Sequence, residues 1–214
     1  MSISTLSILL IALLAAALPY IFRSFNWNRF MKYINSEQYE QALEISNTRL
    51  FNILFGDVNQ KWNQLKIYMQ LKDERKIENT TNELFTMKLS KKQRIQISNS
   101  VYFYFLDIEN KDMSKKVLDQ LRISLDSDEN IYNEILYCTL IEKKSEDINT
   151  IQSLLEKSVK NSKEEGLLEY LLGLQYLYKN DTKEAMIHLN RAKNNLKGTP
   201  YHNKIKKIIS RKGE

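Results

Sequence analysis

The chain contains no proline between Pro19 and Pro200. Proline interrupts helices more strongly than any other residue, because it lacks an amide hydrogen and clashes with the preceding turn. Only five glycines occur among the 214 residues, whereas an all-β fold needs Gly and Pro at many turns. The long proline-free stretch therefore predicts an all-α fold, with the size of one domain or one repeat array.

The first apolar segment predicts a transmembrane anchor. Residues 1–22 carry no charged side chain, and residues 8–18 are unbroken apolar sequence. A helix of 22 residues rises about 33 Å, which is enough to cross a hydrocarbon core of about 30 Å. A cleaved signal peptide is the alternative, because residues 15–17 are three alanines, but its positive n-region is missing. We expect an uncleaved anchor over residues 1–23.

The charges that flank this segment predict its orientation. Arg23, Arg29 and Lys32 follow the segment, and no Lys or Arg precedes it. The positive-inside rule places the N-terminus outside the cell membrane and the rest of the chain in the cytoplasm, with Trp27 at the interface. The opposite orientation stays open, because long domains can cross a membrane despite flanking charge.

The remaining sequence contains a recurring unit of about 34 residues, most clearly in residues 166–200. Small side chains such as Gly173 and Ala185 let two helices cross closely, and large neighbours fill the space beside them. The same register aligns Tyr176 with Tyr33, Tyr68 and, in the third copy, Ile108. The residues expected to carry this packing are Tyr33, Ala42, Tyr68, Gly173, Tyr176, Ala185 and Ala192.

This pattern resembles the tetratricopeptide repeat, although Glu169 stands where that family usually has Trp. The resemblance implies an α-solenoid domain over residues 25–214. Its five helix pairs are expected near residues 25–55, 57–87, 91–125, 129–162 and 165–197. A basic amphipathic helix over residues 200–212 is expected to cap the array, because the outer face of a terminal repeat must be polar.

The resemblance also implies a concave groove, lined by the first helix of each pair, that binds a protein or peptide partner. The residues expected there are Asn59, Trp62, Asn99, Tyr102, Asn133, Tyr170 and Tyr178. Asn can bond a peptide backbone as donor and acceptor, and aromatic residues dominate the binding energy of such interfaces. A register slip of one residue is the alternative, and it would place Trp27 and Trp62 in the core.

No catalytic or metal-binding pattern occurs in the sequence. Cys138 is the only cysteine, and His188 and His202 are the only histidines. The sequence also lacks a glycine-rich phosphate loop and a paired-histidine zinc motif. We expect a structural thiol, histidines that bind no metal, no cofactor and no enzymatic activity.

The basic tail carries most of the net charge of +6. Its cations are Lys204, Lys206, Lys207, Arg211 and Lys212. A solvated capping helix is the first interpretation, and a contact with anionic lipid is the second. Nucleic-acid binding is the least favoured, because Tyr201 is the tail's only aromatic residue and single strands bind to stacking platforms.

Together these features predict a membrane-tethered, non-enzymatic scaffold that binds a protein or peptide at the cytoplasmic membrane face. The alternative is an anchored chaperone or assembly factor on the outer side of the membrane. The bias towards Ile, Lys and Asn is typical of bacterial proteins from AT-rich genomes.

Overall fold

The computed structural model describes the backbone of residues 3–212 and the side chains of residues 16–211. All regular secondary structure within the described backbone is α-helical, which confirms the all-α prediction. The helices are α1 (Ile3–Asn35), α2 (Tyr39–Ser46), α3 (Arg49–Phe55), α4 (Asp57–Leu71), α5 (Glu74–Thr86), α6 (Lys91–Asp107), α7 (Lys111–Ser124), α8 (Ser127–Leu140), α9 (Ile148–Lys157), α10 (Lys163–Tyr178), α11 (Thr182–Asn195) and α12 (Pro200–Lys212). The chain divides into two compact units, Met1–Gln93 and Arg94–Glu214.

The predicted transmembrane anchor over residues 1–23 is wrong. Within the described part of the chain, no helix is both long enough and apolar enough to cross a membrane. The side chains of residues 1–15 lie outside the described ones. The apolar residues whose side chains are described, 16–22, rise only about 10 Å at 1.5 Å per residue. The single-pass topology predicted from this anchor, with the helical domain in the cytoplasm, is withdrawn with it.

The charges that were expected to flank a membrane span belong to a continuous helix instead. Arg23, Arg29 and Lys32 all lie within α1, which runs without a break to Asn35. The second half of α1 contributes Phe30 to the buried core of the first unit. The apolar segment is therefore one end of a longer helix and not an element of its own.

A repeated turn organises the helices of both units. Five helices, α1, α4, α6, α8 and α10, are each followed by a non-glycine residue in the left-handed region, with φ between 53° and 62°. These residues are Glu37, Lys72, Glu109, Lys143 and Asn180, at intervals of 35, 37, 34 and 37 residues. A left-handed residue lets following amides bond back to the last carbonyl oxygens of the helix. The chain is thus built from repeat-like pairs of helices.

In three of these turns the next residue caps the following helix. The side chain of Asp73 accepts a hydrogen bond from the Lys76 amide at 3.1 Å. Asn110 caps α7 and Asp181 caps α11 in the same way. Side-chain oxygens of this kind satisfy amides that have no partner inside the helix. In these three turns the left-handed residue is therefore followed by Asp or Asn, whereas Gln38 and Lys144 follow in the other two.

This turn corrects the predicted register of the third helix pair. Tyr33, Tyr68 and Tyr176 each lie four residues before their left-handed residue. The equivalent of these tyrosines before Glu109 is Phe105, and not Ile108. Phe105 is 1% exposed, whereas Ile108 is 37% exposed. The sequence register was three residues late in this pair, because the longer connection before α6 hid the true spacing.

Counting back from the left-handed residues also identifies core positions in both units. The residues seven positions before the left-handed residues are all buried: Phe30, Leu65, Tyr102, Leu136 and Gly173. At Gly173, a Cβ atom would lie 2.7 Å from Leu189 Cγ and 3.3 Å from the Ala185 carbonyl oxygen. Only glycine fits there without displacing a neighbour. Ala42, Ala185 and Ala192 are also fully buried.

Candidate functional site

The first unit contains a cleft of about 500 Å³ between α1, α3 and α4. We call it the aromatic cleft. It is lined by Tyr20, Arg23, Ser24, Trp27, Phe55, Asn59, Trp62, Asn63 and Lys66. The lining includes both tryptophans of the chain and two residues of the predicted groove, Asn59 and Trp62.

The repeated turn explains why the two tryptophans line the same cleft. Trp27 and Trp62 each lie ten residues before a left-handed residue, Glu37 and Lys72 respectively. They therefore occupy the same place on α1 and α4. The Trp27 ring also packs against Phe55, with ring centroids 5.6 Å apart. Trp27, assigned from the sequence to a membrane interface, instead forms a wall of this cleft.

Two cations lie against the aromatic walls. The Arg23 guanidinium carbon is 5.3 Å from the centroid of the Phe55 ring, and Lys66 Nζ is 5.6 Å from that of Trp62. Both distances fit cation–π contacts. Among the described side chains, neither cation forms an ion pair. Burial against these rings lowers the pKa of Lys66. The cleft thus carries positive charge that has no carboxylate partner.

A buried amide completes the site. The Asn59 side-chain nitrogen donates to the Phe55 carbonyl oxygen, and the Asn63 nitrogen donates to the Asn59 carbonyl oxygen, both at 2.8 Å. Asn63 is only 4% exposed, and its Oδ1 atom has no hydrogen-bond partner. A buried acceptor without a partner costs about 1–3 kcal/mol, and such atoms are rare in folded proteins. The Asn63 Oδ1 atom is itself buried, so Asn63 acts here as a structural part of the cleft wall.

The lining of the cleft offers several groups that can bind a ligand. As the structure describes it, the lining contains no carboxylate, thiol or imidazole that could act as nucleophile, acid or base. It offers aromatic walls and two cations. An apolar ligand that brings a negative charge matches both features.

Tyr102, predicted to line the groove, belongs to the core of the second unit. It is fully buried, and its hydroxyl donates to the Asn133 carbonyl oxygen at 2.8 Å. The physical reason is the register, since Tyr102 aligns with Leu65 and Phe30 and not with Trp62. Asn99 takes the position of Trp62 and is exposed on α6, whereas Asn133 is half-buried on α8.

Tyr170, also predicted for an open groove, is buried, and its ring centroid lies 5.6 Å from that of Tyr201 on α12. The prediction of an accessible surface is therefore wrong for Tyr170. Tyr178 is half-buried, its hydroxyl donates to the Thr139 carbonyl oxygen at 3.2 Å, and burial raises its pKa to about 12. A role of Tyr178 in binding stays a prediction.

The histidines have structural partners. His188 Nδ1 lies 2.5 Å from Glu169 Oε2, both residues are buried, and the His188 ring stacks on Tyr176. This pair joins α10 to α11, and Glu169 thereby fills a packing position that the resemblance assigns to Trp. His202 Nδ1 lies 3.0 Å from the Lys193 carbonyl oxygen.

The single thiol, Cys138, is half-buried, and burial raises its pKa. A raised pKa disfavours the reactive thiolate. Nothing in its surroundings marks Cys138 as a nucleophile.

The predicted cationic residues are dispersed. Arg29 and Lys32 are exposed on α1, outside the aromatic cleft. Lys204 pairs with Asp107 at 2.6 Å, whereas Lys206, Lys207 and Arg211 are exposed. The side chain of Lys212 lies outside the described residues.

Five residues of the cleft lining were not among the predicted site residues: Tyr20, Ser24, Phe55, Asn63 and Lys66. A signal was present for two of them, because Asn59 and Asn63, and Trp62 and Lys66, are spaced by four residues. Side chains four residues apart lie on one face of a helix. Phe55 gave no signal, since it enters from the short helix α3, which the repeat pattern did not predict.

No protein-family model matches the chain, and searches of curated proteins and of solved structures give no significant match.

Proposed function

We propose that this chain is a non-enzymatic scaffold of tetratricopeptide-like helix pairs that binds a protein or peptide segment in the aromatic cleft. The single observation that carries the proposal is the aromatic cleft, in which Arg23 and Lys66 lie over aromatic rings and have no ion-pair partner among the described side chains. Aromatic residues dominate the binding energy of protein interfaces, so such a cleft fits a peptide segment of a partner.

The charges define the kind of segment. Arg23 and Lys66 have no ion-pair partner among the described side chains, so a segment with Asp or Glu side chains is favoured over a neutral or basic one. The rings of Trp27, Phe55 and Trp62 favour an apolar side chain beside the acid. We therefore expect a short acidic–apolar segment of a partner protein to bind here.

The two tryptophans allow a direct test. Since the chain has no tryptophan outside the cleft, its intrinsic fluorescence reports occupancy of this site alone. The full-length protein is titrated with acetylated, amidated octapeptides of Leu, Asp and Glu, called acidic peptides below. A matched set replaces Asp and Glu by Asn and Gln. We expect a saturable fluorescence change with acidic peptides and at least about fivefold weaker binding of the amide set.

Variants locate the binding within the cleft. Arg23→Gln removes one cation of the cleft, and Lys179→Gln removes an exposed cation of the second unit as a matched control. The first variant is expected to weaken acidic-peptide binding about three- to tenfold, and the second to leave it unchanged. Equal effects of the two variants, or no saturable signal with any peptide of either set, would count against the proposal.

A further inference from the structure

The polar side chains of the aromatic cleft are rich in hydrogen-bond donors. The Arg23 guanidinium carries five N–H groups, the Lys66 ammonium carries three, and the hydroxyls of Tyr20 and Ser24 can each donate one bond. The two asparagine amides of the lining already donate to carbonyl oxygens. None of the described lining residues carries a carboxylate that could accept from these donors. The cleft therefore fits a ligand group that accepts several hydrogen bonds.

The two cations reach the cleft from different helices. Arg23 lies on α1, three residues after Tyr20 and four before Trp27, so these side chains share one face of the helix. Lys66 lies on α4, four residues after Trp62, on the face that forms the other part of the lining. Both cationic residues are exposed to solvent. One anion that enters the cleft can therefore meet both of them.

The number of charges distinguishes between acidic groups. Arg23 and Lys66 supply two positive charges, and neither forms an ion pair among the described side chains. One Asp or Glu side chain brings a single negative charge, whereas a phosphorylated side chain brings about −1.5 to −2 at pH 7 and three acceptor oxygens. The planar fork of Arg binds phosphate through two parallel hydrogen bonds, and Lys binds it as a point charge. A single phosphate group thus matches both cations and the donors beside them.

From this match we infer that the acidic group bound in the aromatic cleft is a phosphorylated side chain of the partner segment, held by Arg23 and Lys66 together. An adjoining apolar side chain of the segment packs against the rings of Trp27 and Trp62. This inference rests on the function proposed for the cleft and specifies its ligand. Binding then depends on phosphorylation of the partner, because the unmodified hydroxyl is neutral and pairs with neither cation.

Four octapeptides of one design separate phosphate from other anions. They are acetylated, amidated peptides of Leu and Ser whose central position holds phosphoserine, one Glu, a Glu-Glu pair or unmodified Ser. Each is titrated against the full-length protein by tryptophan fluorescence. The Glu-Glu peptide matches the total charge of the phosphopeptide, so it controls for attraction that needs no single group between the cations. We expect the phosphopeptide to bind at least about tenfold more tightly than the Glu-Glu peptide, and the unmodified peptide to bind most weakly.

Variants test whether both cations hold the phosphate. Arg23→Gln and Lys66→Gln are each expected to lower the preference for the phosphopeptide over the Glu-Glu peptide to less than about threefold, because one cation remains. Lys179→Gln, at an exposed site of the second unit, is the matched control and should leave the preference unchanged. Inorganic phosphate, added alone at the concentration that saturates binding of the phosphopeptide, should leave the fluorescence unchanged, since it brings no apolar side chain to the rings.

Three outcomes would overturn the inference. The first is equal affinity of the phosphopeptide and the Glu-Glu peptide, and the second is a preference that persists in either cation variant. The third is saturation by inorganic phosphate alone, which would make the cleft a site for the free anion. In the first two cases acidic peptides still bind, so the proposed function stands with a different account of its anion. Failure of every peptide to bind would overturn the proposed function and this inference together.

Discussion

Trp62 in the first unit and Tyr170 in the second occupy the same place in their helices, ten residues before a left-handed residue, yet they meet different surroundings. Trp62 forms a wall of a cleft that no other element of the chain fills in the described structure. Tyr170 is buried beneath α12, with Tyr201 against its ring. The repeat position therefore selects an aromatic residue but does not decide whether that residue is accessible.

The two regions also differ in whether their cations have carboxylate partners. Arg23 and Lys66 of the aromatic cleft lie over rings and have no carboxylate partner among the described side chains. Lys204 on α12 has its partner in Asp107. Lys207 and Arg211 of α12 are exposed and form no ion pair among the described side chains. The contrast therefore concerns Lys204 alone, whose charge is matched where α12 covers Tyr170.

The largest expected effect tests whether Tyr102 lies in the core or in a groove. We expect Tyr102→Ala to lower the free energy of unfolding of the second unit by about 3–5 kcal/mol, because it removes a fully buried ring and its hydrogen bond. Trp62→Ala is the matched comparison, since this ring is half-exposed and its loss should cost less stability but abolish acidic-peptide binding. Urea unfolding followed by circular dichroism measures both variants. Unchanged stability of the Tyr102→Ala protein would contradict the core position of Tyr102 and favour the predicted groove position.

The next effect concerns the closest helix crossing. Gly173→Leu is expected to destabilise the second unit by about 1–3 kcal/mol, because a Cβ atom there already meets Leu189 at 2.7 Å. Leu65, at the equivalent place in the first unit, is tolerated, so the effect depends on the spacing of α10 and α11 and not on the repeat position. Ser100→Leu, at an exposed site on α6, serves as the control and should change stability by less than about 0.5 kcal/mol. Equal melting of both variants would contradict the tight crossing.

The two regions also show how much of the fold and of the cleft could be predicted from the sequence. The all-α fold was predictable, because no proline interrupts helix formation anywhere between Pro19 and Pro200. Trp62 and Asn59 could be assigned to a groove because the spacing of the first two units is regular. Tyr102 could not be placed correctly, because a three-residue error in the connection before α6 rotates the assigned position by about 60° around the helix axis, from the side of the helix to its buried face.

Other features depend on contacts between distant residues, which no local pattern encodes. Whether Tyr170 is covered is decided by α12, and sequence periodicity gives no measure of that packing. The apolar segment before Arg23 was misread as an anchor because hydropathy alone does not reveal that α1 continues into the core of the first unit. Asn63 was missed because an unpaired acceptor is a property of the folded environment.

A smaller effect tests how much the unpaired acceptor of Asn63 lowers the free energy of unfolding of the first unit. Asn63→Leu removes a buried acceptor that has no partner, together with one hydrogen bond to the Asn59 carbonyl oxygen. We expect the free energy of unfolding of the first unit to stay unchanged or to rise by up to about 1 kcal/mol, while acidic-peptide affinity changes less than about threefold because the Oδ1 atom is buried. Calorimetric melting and the tryptophan titration measure the two quantities. Asn99→Leu, on the exposed face of α6, is the control and should alter neither.

The smallest effect is a pH dependence that only the aromatic cleft should show. Burial lowers the pKa of Lys66 in the free protein, and a bound carboxylate favours the ammonium form and raises that pKa again. Binding is therefore linked to proton uptake: affinity is full below the lowered pKa of the free protein and falls as the pH rises through it towards the higher pKa of the complex. We expect the loss to be at most about fivefold, the range of a partly exposed ion pair. Lys66→Arg keeps its charge over this range and should bind acidic peptides with a flat pH profile, whereas a profile that still falls in this variant would assign the titration to another group.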